Sequence, residues 1–369
     1  MSNAQEKDIA FMTEALALAA RGAGATSPNP MVGCVLVNKG KVVGSGWHEG
    51  PGKAHAEVAA IIDAGGNARG ATAYVTLEPC NHTGRTGPCT EAIIEAGIVE
   101  VVYALADSNP VAANGATRLL TAGVKVRGGV CADEARELNR GWTHSLEHNR
   151  PYITGKTAMS LDGRIATSGG ESKWITGEIS RARAHQLRKF ADAIIVGANT
   201  VIADDPALTA RIGDETHHPL RVILDSTGRT PPGAKVYERA GKGALVVTTK
   251  KAPHRTLEAY RELGAEPLAL SEGRDGRPDL EDLLGELHQR GVVNVLVEGG
   301  GGVLGSFFDA DLLDELHLFI APKLIGGGKP AFGGDGIEHL RDSERFSFSA
   351  PEQLGADTLL RAIRRMEAC

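Results

Sequence analysis

The sequence lacks an uninterrupted apolar run of about 18 residues, the length that a membrane-spanning helix requires. Its first residues hold no apolar core of the kind found in a secretory signal. Five cysteines in 369 residues are few, and their odd number in a chain without such a signal argues against a disulfide framework. We therefore expect a cytoplasmic protein that has no membrane partner.

Positive charge and aromatic residues are also scarce. The formal net charge is −6, and aromatic residues make up only 4% of the chain. Nucleic-acid binding needs basic surface, and RNA recognition also uses aromatic side chains that stack on bases, so a nucleic-acid partner is disfavoured. The remaining composition, 42% hydrophobic and 23% charged, is that of an ordinary globular protein, long enough for two or more domains.

What the sequence does contain is a set of metal-binding residue types. His55, Cys80 and Cys89 supply one imidazole and two thiols, and Glu57 lies two residues beyond the histidine. Three such ligands leave the fourth position of a tetrahedral Zn²⁺ open for water, and the glutamate can move that water's proton. This combination is typical of hydrolytic deamination, so we predict one zinc ion per chain with Glu57 as the catalytic residue.

The three ligands lie where the sequence predicts the ends of helices and strands. Residues two apart on a helix point in different directions, so His55 and Glu57 can serve one site only if His55 begins the helix. The glycine and proline residues at 50–52 break the chain just before a predicted helix over residues 54–64. Cys89 follows a proline and begins a second predicted helix, and Cys80 follows a predicted strand over residues 73–77.

Cysteine spacing is the one departure from the usual deaminase signature. Eight residues separate Cys80 from Cys89, whereas the signature usually has two. A purely structural zinc site is the alternative, but such sites normally use four protein ligands. His82 is the nearest candidate for a fourth ligand, and it would close the water position.

Strand and helix patterns alternate through the first part of the chain, which predicts a three-layer α/β/α domain. A polar segment that ends on Pro151 marks the boundary, and we predict domains over residues 1–148 and 149–369. The second domain is again α/β, with strands near residues 153–159, 193–196, 221–224 and 292–297 and helices near 178–190 and 279–290. The region around residues 239–277 is polar, and we predict no helix or strand in it.

A glycine run, Gly299-Gly300-Gly301-Gly302, follows the predicted strand at 292–297. Glycines allow backbone N–H groups to approach phosphates closely, and a helix that begins there favours anions. The run does not match the Gly-x-Gly-x-x-Gly fingerprint, so by itself it is equally compatible with an ordinary turn.

Seven short motifs are spread along nearly the whole chain. They are Pro28-Asn29-Pro30-Met31-Val32-Gly33-Cys34-Val35, His55-Ala56-Glu57, Tyr74-Val75-Thr76-Leu77-Glu78-Pro79-Cys80 with Cys89, Ser160-Leu161-Asp162-Gly163-Arg164, Trp174-Ile175-Thr176, Ala203-Asp204-Asp205-Pro206-Ala207-Leu208-Thr209 and Ile320-Ala321-Pro322-Lys323. Together these motifs resemble the bifunctional deaminase-reductase family of riboflavin biosynthesis. The long cysteine spacing also fits this family.

The resemblance implies a cytidine-deaminase-like first domain and a second domain related in fold to dihydrofolate reductase. The small-molecule substrate would be 2,5-diamino-6-ribosylamino-4(3H)-pyrimidinone 5′-phosphate. The first domain would hydrolyse the ring amine, and the second would use NADPH to reduce the ribose, giving 5-amino-6-(5-phosphoribitylamino)uracil. We also expect a homo-oligomer. Only the resemblance favours NADPH over NADH.

Site residues also follow from the resemblance. In the first domain Asn29 and His48 would contact the pyrimidine, and Arg85 would meet the substrate phosphate. In the second, substrate contacts would come from Ser172, Arg188, Leu208, Arg211 and Glu298, with both arginines at the phosphate. NADPH contacts would come from Ala158, Trp174, Thr200, Asp204, Ser226, Gly300, Gly301, Gly302, Val303, Leu304, Gly305 and Ser306.

Plainer interpretations stay open for several of these residues. Trp174 and Leu208 could be core residues, Asp204 could cap a helix, and Arg85 could be an exposed loop charge. A different enzyme class, a nucleotide or tRNA deaminase with an accessory second domain, is the rival function, and the acidic, aromatic-poor composition disfavours its tRNA form.

Overall fold

The structure is a computed structural model that describes residues 3–83, 87–238, 241–273, 275–343 and 346–365. It divides into two compact units, residues 1–149 and 150–369, one residue beyond the predicted domain boundary. No helix in these ranges is both long enough and apolar enough to cross a membrane.

The described residues of unit 1 form five strands and six α-helices. The strands are β1 (Gly33–Asn38), β2 (Lys41–Trp47), β3 (Thr72–Leu77), β4 (Glu100–Leu105) and β5 (Lys125–Gly128). The helices are α1 (Asn3–Ala19), α2 (Ala56–Ala64), α3 (Cys89–Glu95), α4 (Gly115–Thr121), α5 (Ala132–Leu138) and α6 (Arg140–His148).

The sheet of unit 1 has the strand order β2-β1-β3-β4-β5. The β1–β2 hairpin and the β1–β3 pair are antiparallel, and β3, β4 and β5 are parallel. Cys34 and Val75 face a core that includes residues of α2, α3 and α4, whereas Val35 and Tyr74 face one that includes residues of α1 and α5. Successive strand residues thus enter opposite cores, and the predicted three-layer architecture is confirmed.

Two helices, α5 and α6, follow the last strand of unit 1. Asn139 separates α5 from α6 with φ −104° and ψ 17°, which is outside the helical range. Its side-chain amide accepts from the Met31 N–H at 2.8 Å and donates to the Met31 carbonyl at 2.9 Å. This long-range pair of hydrogen bonds holds the Asn139 side chain against the loop that contains Met31.

Unit 2 contains fourteen strands and five helices among its described residues. The strands are β6 (Tyr152–Ser160), β7 (Arg164–Thr167), β8 (Ala193–Gly197), β9 (Ala210–Ile212), β10 (Glu215–His217), β11 (Leu220–Leu224), β12 (Ala244–Thr248), β13 (Glu266–Ala269), β14 (Asn294–Val297), β15 (Glu315–Ala321), β16 (Gly328–Pro330), β17 (Phe346–Phe348), β18 (Glu352–Leu354) and β19 (Asp357–Arg364). The helices are α7 (Glu178–Phe190), α8 (Ala198–Asp204), α9 (His254–Glu262), α10 (Leu280–Gln289) and α11 (Gly301–Asp309).

The main sheet of unit 2 has the order β13-β12-β11-β8-β14-β6-β15-β19-β17, with β18 also paired to β19. The strands from β13 to β15 run parallel, and β19 returns antiparallel beside β15. Both faces are covered by apolar residues, including those of α10 and α11 in one core and of α8 and α9 in another. This arrangement explains why every residue of β8 and β12 is buried and most are apolar.

The polar region near residues 239–277 holds more structure than the sequence analysis assigned. It contributes β12, α9 and β13 to unit 2. The five residues of β12, Ala-Leu-Val-Val-Thr, are all buried, and Tyr260 of α9 is fully buried against the sheet. Exposed charged residues surround these short elements, so their few buried apolar residues form no clear pattern in the sequence.

Candidate active sites

The three predicted metal ligands converge in unit 1. The ligand atoms of His55, Cys80 and Cys89 all lie within 4.8 Å of one another. The His55 Nδ1 atom is 3.2 Å from the Cys89 Sγ atom and 3.5 Å from the Cys80 Sγ atom. Tetrahedral zinc with ordinary bond lengths separates a nitrogen ligand from a sulfur ligand by about 3.5 Å, so this donor set fits zinc.

Each ligand is held where a helix or strand begins or ends. His55 is the N-cap of α2, with extended backbone at φ −71° and ψ 160°, and Glu57 lies in the first turn. Cys89 is the first residue of α3, after the N-cap residue Pro88. Cys80 lies three residues beyond β3. The expectation that His55 begins its helix is confirmed, and the reason is the one given above: only there can the histidine and the glutamate face one site.

The two thiols have opposite proton affinities. A hydrogen bond from Cys89 is the largest influence on Cys80 and lowers its pKa to about 4. The same bond, together with burial, raises the pKa of Cys89 well above its usual value. Contact with Cys80 raises the pKa of His55. A cluster in which one thiol is already a thiolate is prepared for a cation, because thiolates are the metal-binding form of cysteine.

Glu57 is buried beside this cluster. Its side chain is only 4% exposed. Burial, and after it the charge of Cys80, raise the pKa of Glu57 to about 7. A carboxyl group in this range can both accept and release a proton near neutral pH, as general acid–base chemistry requires.

Within the described residues, the metal-binding group consists of the three predicted ligands and no fourth. Neither Glu57 nor His82 belongs to it. One coordination position of a tetrahedral ion therefore remains for a non-protein ligand, as in catalytic zinc sites.

Asn29 and His48, the predicted pyrimidine contacts, lie together. The Asn29 Nδ2 atom is 3.1 Å from the His48 Nε2 atom, and the His48 Nδ1 atom is 3.1 Å from the Ala54 carbonyl oxygen. Burial lowers the pKa of His48, so its ring is neutral, with Nδ1–H donating to Ala54 and Nε2 accepting from Asn29. Arg85, predicted at the phosphate, lies outside the described residues.

In unit 2, Arg188 and Glu298 form a largely buried, two-bond ion pair. The Arg188 Nε and Nη2 atoms donate to the two Glu298 carboxylate oxygens at 2.6 and 2.9 Å, and Nη1 donates to the Thr209 carbonyl at 2.9 Å. The Lys156 Nζ atom lies 3.6 Å from the same carboxylate. Burial alone would raise the pKa of Glu298, but the charges of Arg188 and Lys156 outweigh it and lower that pKa to about 2.

Lys156 is a residue that the sequence analysis missed. It lies in the middle of β6, on a strand that pairs with both β14 and β15. A lysine inside a strand of a sheet covered on both faces is unusual, and this was the available signal. Two cations against one carboxylate leave a net positive charge in this part of unit 2.

The glycine run begins α11, as predicted. Gly300 is the N-cap, and its N–H donates to the Thr200 Oγ1 atom at 3.3 Å. A Cβ atom at Gly301 or Gly305 would collide with the carbonyl oxygens of Pro330 and Gly333, so close packing requires these two glycines. Gly302, by contrast, is exposed, with open space where a Cβ would lie. Gly302 therefore leaves the backbone accessible for a ligand.

The remaining residues of this segment face different surroundings. Leu304 is 1% exposed and lies in a hydrophobic core, whereas Val303 is only partly buried. The Ser306 hydroxyl accepts from the Arg277 guanidinium at 2.8 Å and donates to the Gly302 carbonyl at 3.0 Å. The side chain of Leu304 therefore serves packing, and the open face of the segment is that of Gly302.

The other predicted cofactor contacts lie on several elements. Ala158 is on β6, opposite Phe319 of β15, and Ser226 follows β11, where its carbonyl accepts from the Thr249 N–H. Trp174 is 65% exposed and therefore not a core residue, and the Arg181 guanidinium lies 4.5 Å from its ring centroid. Asp204 ends α8 and pairs with Lys173 at 3.2 Å.

The remaining substrate predictions differ in exposure. Leu208 is 2% exposed and lies in a hydrophobic core. Arg211 is exposed on β9, where its backbone N–H donates to the His185 Nδ1 atom at 3.2 Å. Ser172 is half-buried between β7 and α7. Of the two arginines, only Arg211 has an exposed side chain.

Comparison with known proteins identifies the family. A family model described as the RibD C-terminal domain matches residues 151–360, and one described as the cytidine and deoxycytidylate deaminase zinc-binding region matches residues 5–105. The riboflavin biosynthesis protein RibD of Aquifex aeolicus is 44% identical over 357 residues, which cover 96% of this chain and 98% of the relative. The chain belongs to the RibD family.

Further relatives and solved structures agree with this assignment. RibD of Actinobacillus pleuropneumoniae is 42% identical over 96% of this chain and 94% of its own length. The structure of RibD from Acinetobacter baumannii, form 1, has a TM-score of 0.87 at 39% identity, covering 98% of this chain and 100% of that one. A Thermotoga maritima structure described as a diaminohydroxyphosphoribosylaminopyrimidine deaminase/5-amino-6-(5-phosphoribosylamino)uracil reductase has a TM-score of 0.88 at 34% identity, with the same coverage.

As a RibD family member, the chain is a bifunctional deaminase and reductase of riboflavin biosynthesis. It combines a zinc-binding deaminase domain with a reductase domain of the NADPH-dependent RibD type. The predicted fold class, a deaminase-like α/β/α domain followed by an α/β reductase domain, is confirmed.

Proposed function

We propose that unit 1 removes the ring amine of 2,5-diamino-6-ribosylamino-4(3H)-pyrimidinone 5′-phosphate by hydrolysis and that unit 2 then reduces the ribosyl group with NADPH. The observation that carries the first half is the three-ligand cluster with Glu57 buried beside it. The description of the Thermotoga maritima relative as a deaminase and reductase of such compounds supports the choice of substrate.

His55, Cys80 and Cys89 are the residues that would hold zinc. When bound there, zinc supplies positive charge that lowers the pKa of a neighbouring water towards about 7 and also favours ionised Glu57. Glu57 then accepts a proton from the attacking water and delivers it to the departing amine, so that neutral ammonia leaves. Its burial keeps solvent water from competing for that proton.

Asn29 and His48 would orient the pyrimidine. His48 is neutral and accepts from the Asn29 amide nitrogen, which leaves the Asn29 amide oxygen as an acceptor for N–H groups of the ring. Arg85 remains our candidate for the phosphate on this unit, by resemblance to the family alone.

In unit 2 the hydride comes from NADPH, and the chain's residues bind and orient the reactants. The exposed Gly302 at the start of α11, with Gly300 fixed by Thr200, would receive phosphate groups of the cofactor. Ala158, Trp174, Asp204, Ser226 and the rest of the segment over residues 300–306 remain the proposed cofactor contacts. The packing of Leu304 in the core limits it to a supporting position.

The two arginines would have different tasks. All three guanidinium nitrogens of Arg188 donate to Glu298 or to Thr209. We therefore assign Arg188 to positioning Glu298. Arg211 is exposed and would bind the substrate phosphate. Glu298 and Lys156 would meet the sugar, and Ser172 and Leu208 would shape the site around it.

The test is to supply the diaminopyrimidine ribosylamine phosphate to the full chain with and without NADPH. Ammonia release and NADPH absorbance are followed together, and zinc is measured in the purified protein. We expect about one zinc per chain, ammonia in both reactions, and NADPH oxidation that follows deamination. Ammonia release by a protein without zinc, or NADPH oxidation without ammonia release, would contradict the proposal.

Location and assembly stay predictions from the sequence. We propose a cytoplasmic homo-oligomer that acts on a small molecule and has no nucleic-acid partner, which the net charge of −6 supports. Light scattering during gel filtration would measure the assembly, and a monomer would contradict that part of the proposal.

A further inference from the structure

The segment over residues 78–81, which carries Cys80, is held in place by several hydrogen bonds. Its backbone bonds to two other parts of unit 1. The Glu78 N–H donates to the Leu105 carbonyl at 2.8 Å, and the Asn81 N–H donates to the Ala112 carbonyl at 3.2 Å. On the other side, the Thr90 N–H of α3 donates to the Cys80 carbonyl at 3.3 Å.

Glu78 adds side-chain contacts to this frame. One carboxylate oxygen accepts from the Ala116 N–H at 2.9 Å and the other accepts from the Asp107 N–H at 3.3 Å. Glu78 is 9% exposed, so these bonds form where water competes little. A carboxylate two residues before the metal ligand thus binds the backbone at both ends of the segment over residues 107–116.

Gly115 completes the contact from the opposite side. A Cβ atom at this position would collide with the Pro79 carbonyl oxygen, one residue before Cys80. Gly115 is buried, and it begins α4, whose next residue, Ala116, donates to Glu78. The backbone of α4 therefore lies directly against the Glu78-Pro79-Cys80 turn.

We propose that Glu78 is a positioning residue for the Cys80 ligand. We also propose that the close packing of Gly115 on the Pro79 carbonyl holds the same turn in place. Together they fix the turn so that the Cys80 thiolate is aimed at the position shared with His55 and Cys89. Neither residue belongs to the metal-binding group itself. Groups that orient metal ligands in this way typically change metal affinity about 10- to 100-fold when they are removed. The proposal rests on the zinc site of the proposed function.

The direct test measures how fast the full-length, zinc-loaded protein releases zinc to an excess of a coloured chelator. Glu78→Ala removes both acceptors, whereas Glu78→Gln keeps the shape and one acceptor oxygen. We expect release about tenfold faster for Glu78→Ala and an intermediate rate for Glu78→Gln. Asp63→Ala is the matched control, because Asp63 also accepts a backbone N–H, that of Ser45, at 2.8 Å, but lies at the far end of α2 from His55.

A second pair of variants approaches the turn from α4. Gly115→Ala should displace the Pro79 carbonyl and speed zinc release, whereas Gly66→Ala, whose added methyl group meets open space, should not. The rise in melting temperature on zinc loading separates positioning from general stability. We expect that rise to shrink in Glu78→Ala and Gly115→Ala but to match the wild type in both controls.

The outcomes separate the two hypotheses. A wild-type chain that retains no zinc would overturn the proposed metal site itself. A wild type that retains zinc, with Glu78→Ala and Gly115→Ala releasing it at the wild-type rate, would overturn only the positioning role. Equal acceleration in Glu78→Ala and Asp63→Ala would also overturn it, since the effect would then be general. If Glu78→Ala does not fold, Glu78→Gln and Gly115→Ala decide the question.

Discussion

The two candidate sites are assembled in different ways. In unit 1 the metal ligands span only 35 residues of chain, and each lies at the start of a helix or just beyond a strand. In unit 2 the Arg188–Glu298 pair joins residues that are 110 positions apart, and Lys156 reaches Glu298 from another strand. The first site is fixed largely by local chain geometry, and the second by the pairing of strands.

Because the two sites are assembled differently, substitutions should affect activity and stability differently in each. The ligand cluster of unit 1 depends on a few backbone turns, and the chemistry that we propose for it depends on one buried carboxylate, Glu57. In unit 2 a change of charge at the site should also change the stability of the fold, because Glu298 is buried and has two cationic neighbours. A single substitution at the unit 1 site should therefore remove one activity, whereas one in the buried Arg188–Glu298–Lys156 cluster of unit 2 should also affect stability.

The largest effect is expected from Glu57→Gln. The amide has the same shape but cannot carry the proton between water and amine, so ammonia release should fall by about 10²- to 10⁴-fold. Reduction of the separately supplied deaminated intermediate should continue at the wild-type rate, which serves as the internal control. Equal loss of both activities in parallel assays would show that the two sites are not independent.

Arg188→Ala should have the next largest effect, and on two properties at once. Removing one partner of a buried ion pair leaves Glu298 with Lys156 alone, so the free energy of unfolding of unit 2 should fall by about 3 kcal/mol. Reductase activity should fall with it, while ammonia release persists. Thermal unfolding together with both assays measures this.

Arg183→Ala is the matched control on the same helix, α7. Arg183 pairs with Glu352 at 3.5 Å in a more exposed position, so its removal should change stability by well under 1 kcal/mol. If Arg188→Ala lowers the free energy of unfolding as little as Arg183→Ala does, the buried ion pair does not stabilise unit 2.

Arg211→Ala should have the smallest effect, confined to binding. Arg211 is exposed, so stability should change by no more than about 0.5 kcal/mol. Loss of one charge-assisted contact to the substrate phosphate should raise the reductase KM about tenfold with kcat little changed. Steady-state kinetics decides this, with the exposed Arg255→Ala of α9 as the control, and an unchanged KM would remove Arg211 from the phosphate site.

The sequence carried enough information for the metal site because its signals are local. The glycine and proline residues before His55 and the proline before Cys89 mark helix starts, and helix geometry then restricts where His55 can lie. The extent of α7, residues 178–190, could likewise be read from its apolar spacing, and the structure has the same bounds. These features depend on neighbours within a few residues.

Other features depended on residues far away in the chain. Lys156 became a partner of Glu298 only through the pairing of β6 with β14, which no local pattern specifies. Asn139, at the break between α5 and α6, is hydrogen-bonded to Met31, 108 positions away in the chain. The short elements β12, α9 and β13 were not predicted, because exposed charges surround their few buried residues.

The bonds between Asn139 and Met31 bear on how a shortened deaminase would have to be made. The match to the zinc-binding family model ends at residue 105, which invites truncation there. Such a fragment would lose Asn139, and with it the hydrogen bonds to Met31, two residues beyond Asn29, our proposed pyrimidine contact. It would also lose both backbone donors to Glu78. A minimal catalytic fragment of this enzyme should therefore extend beyond residue 139.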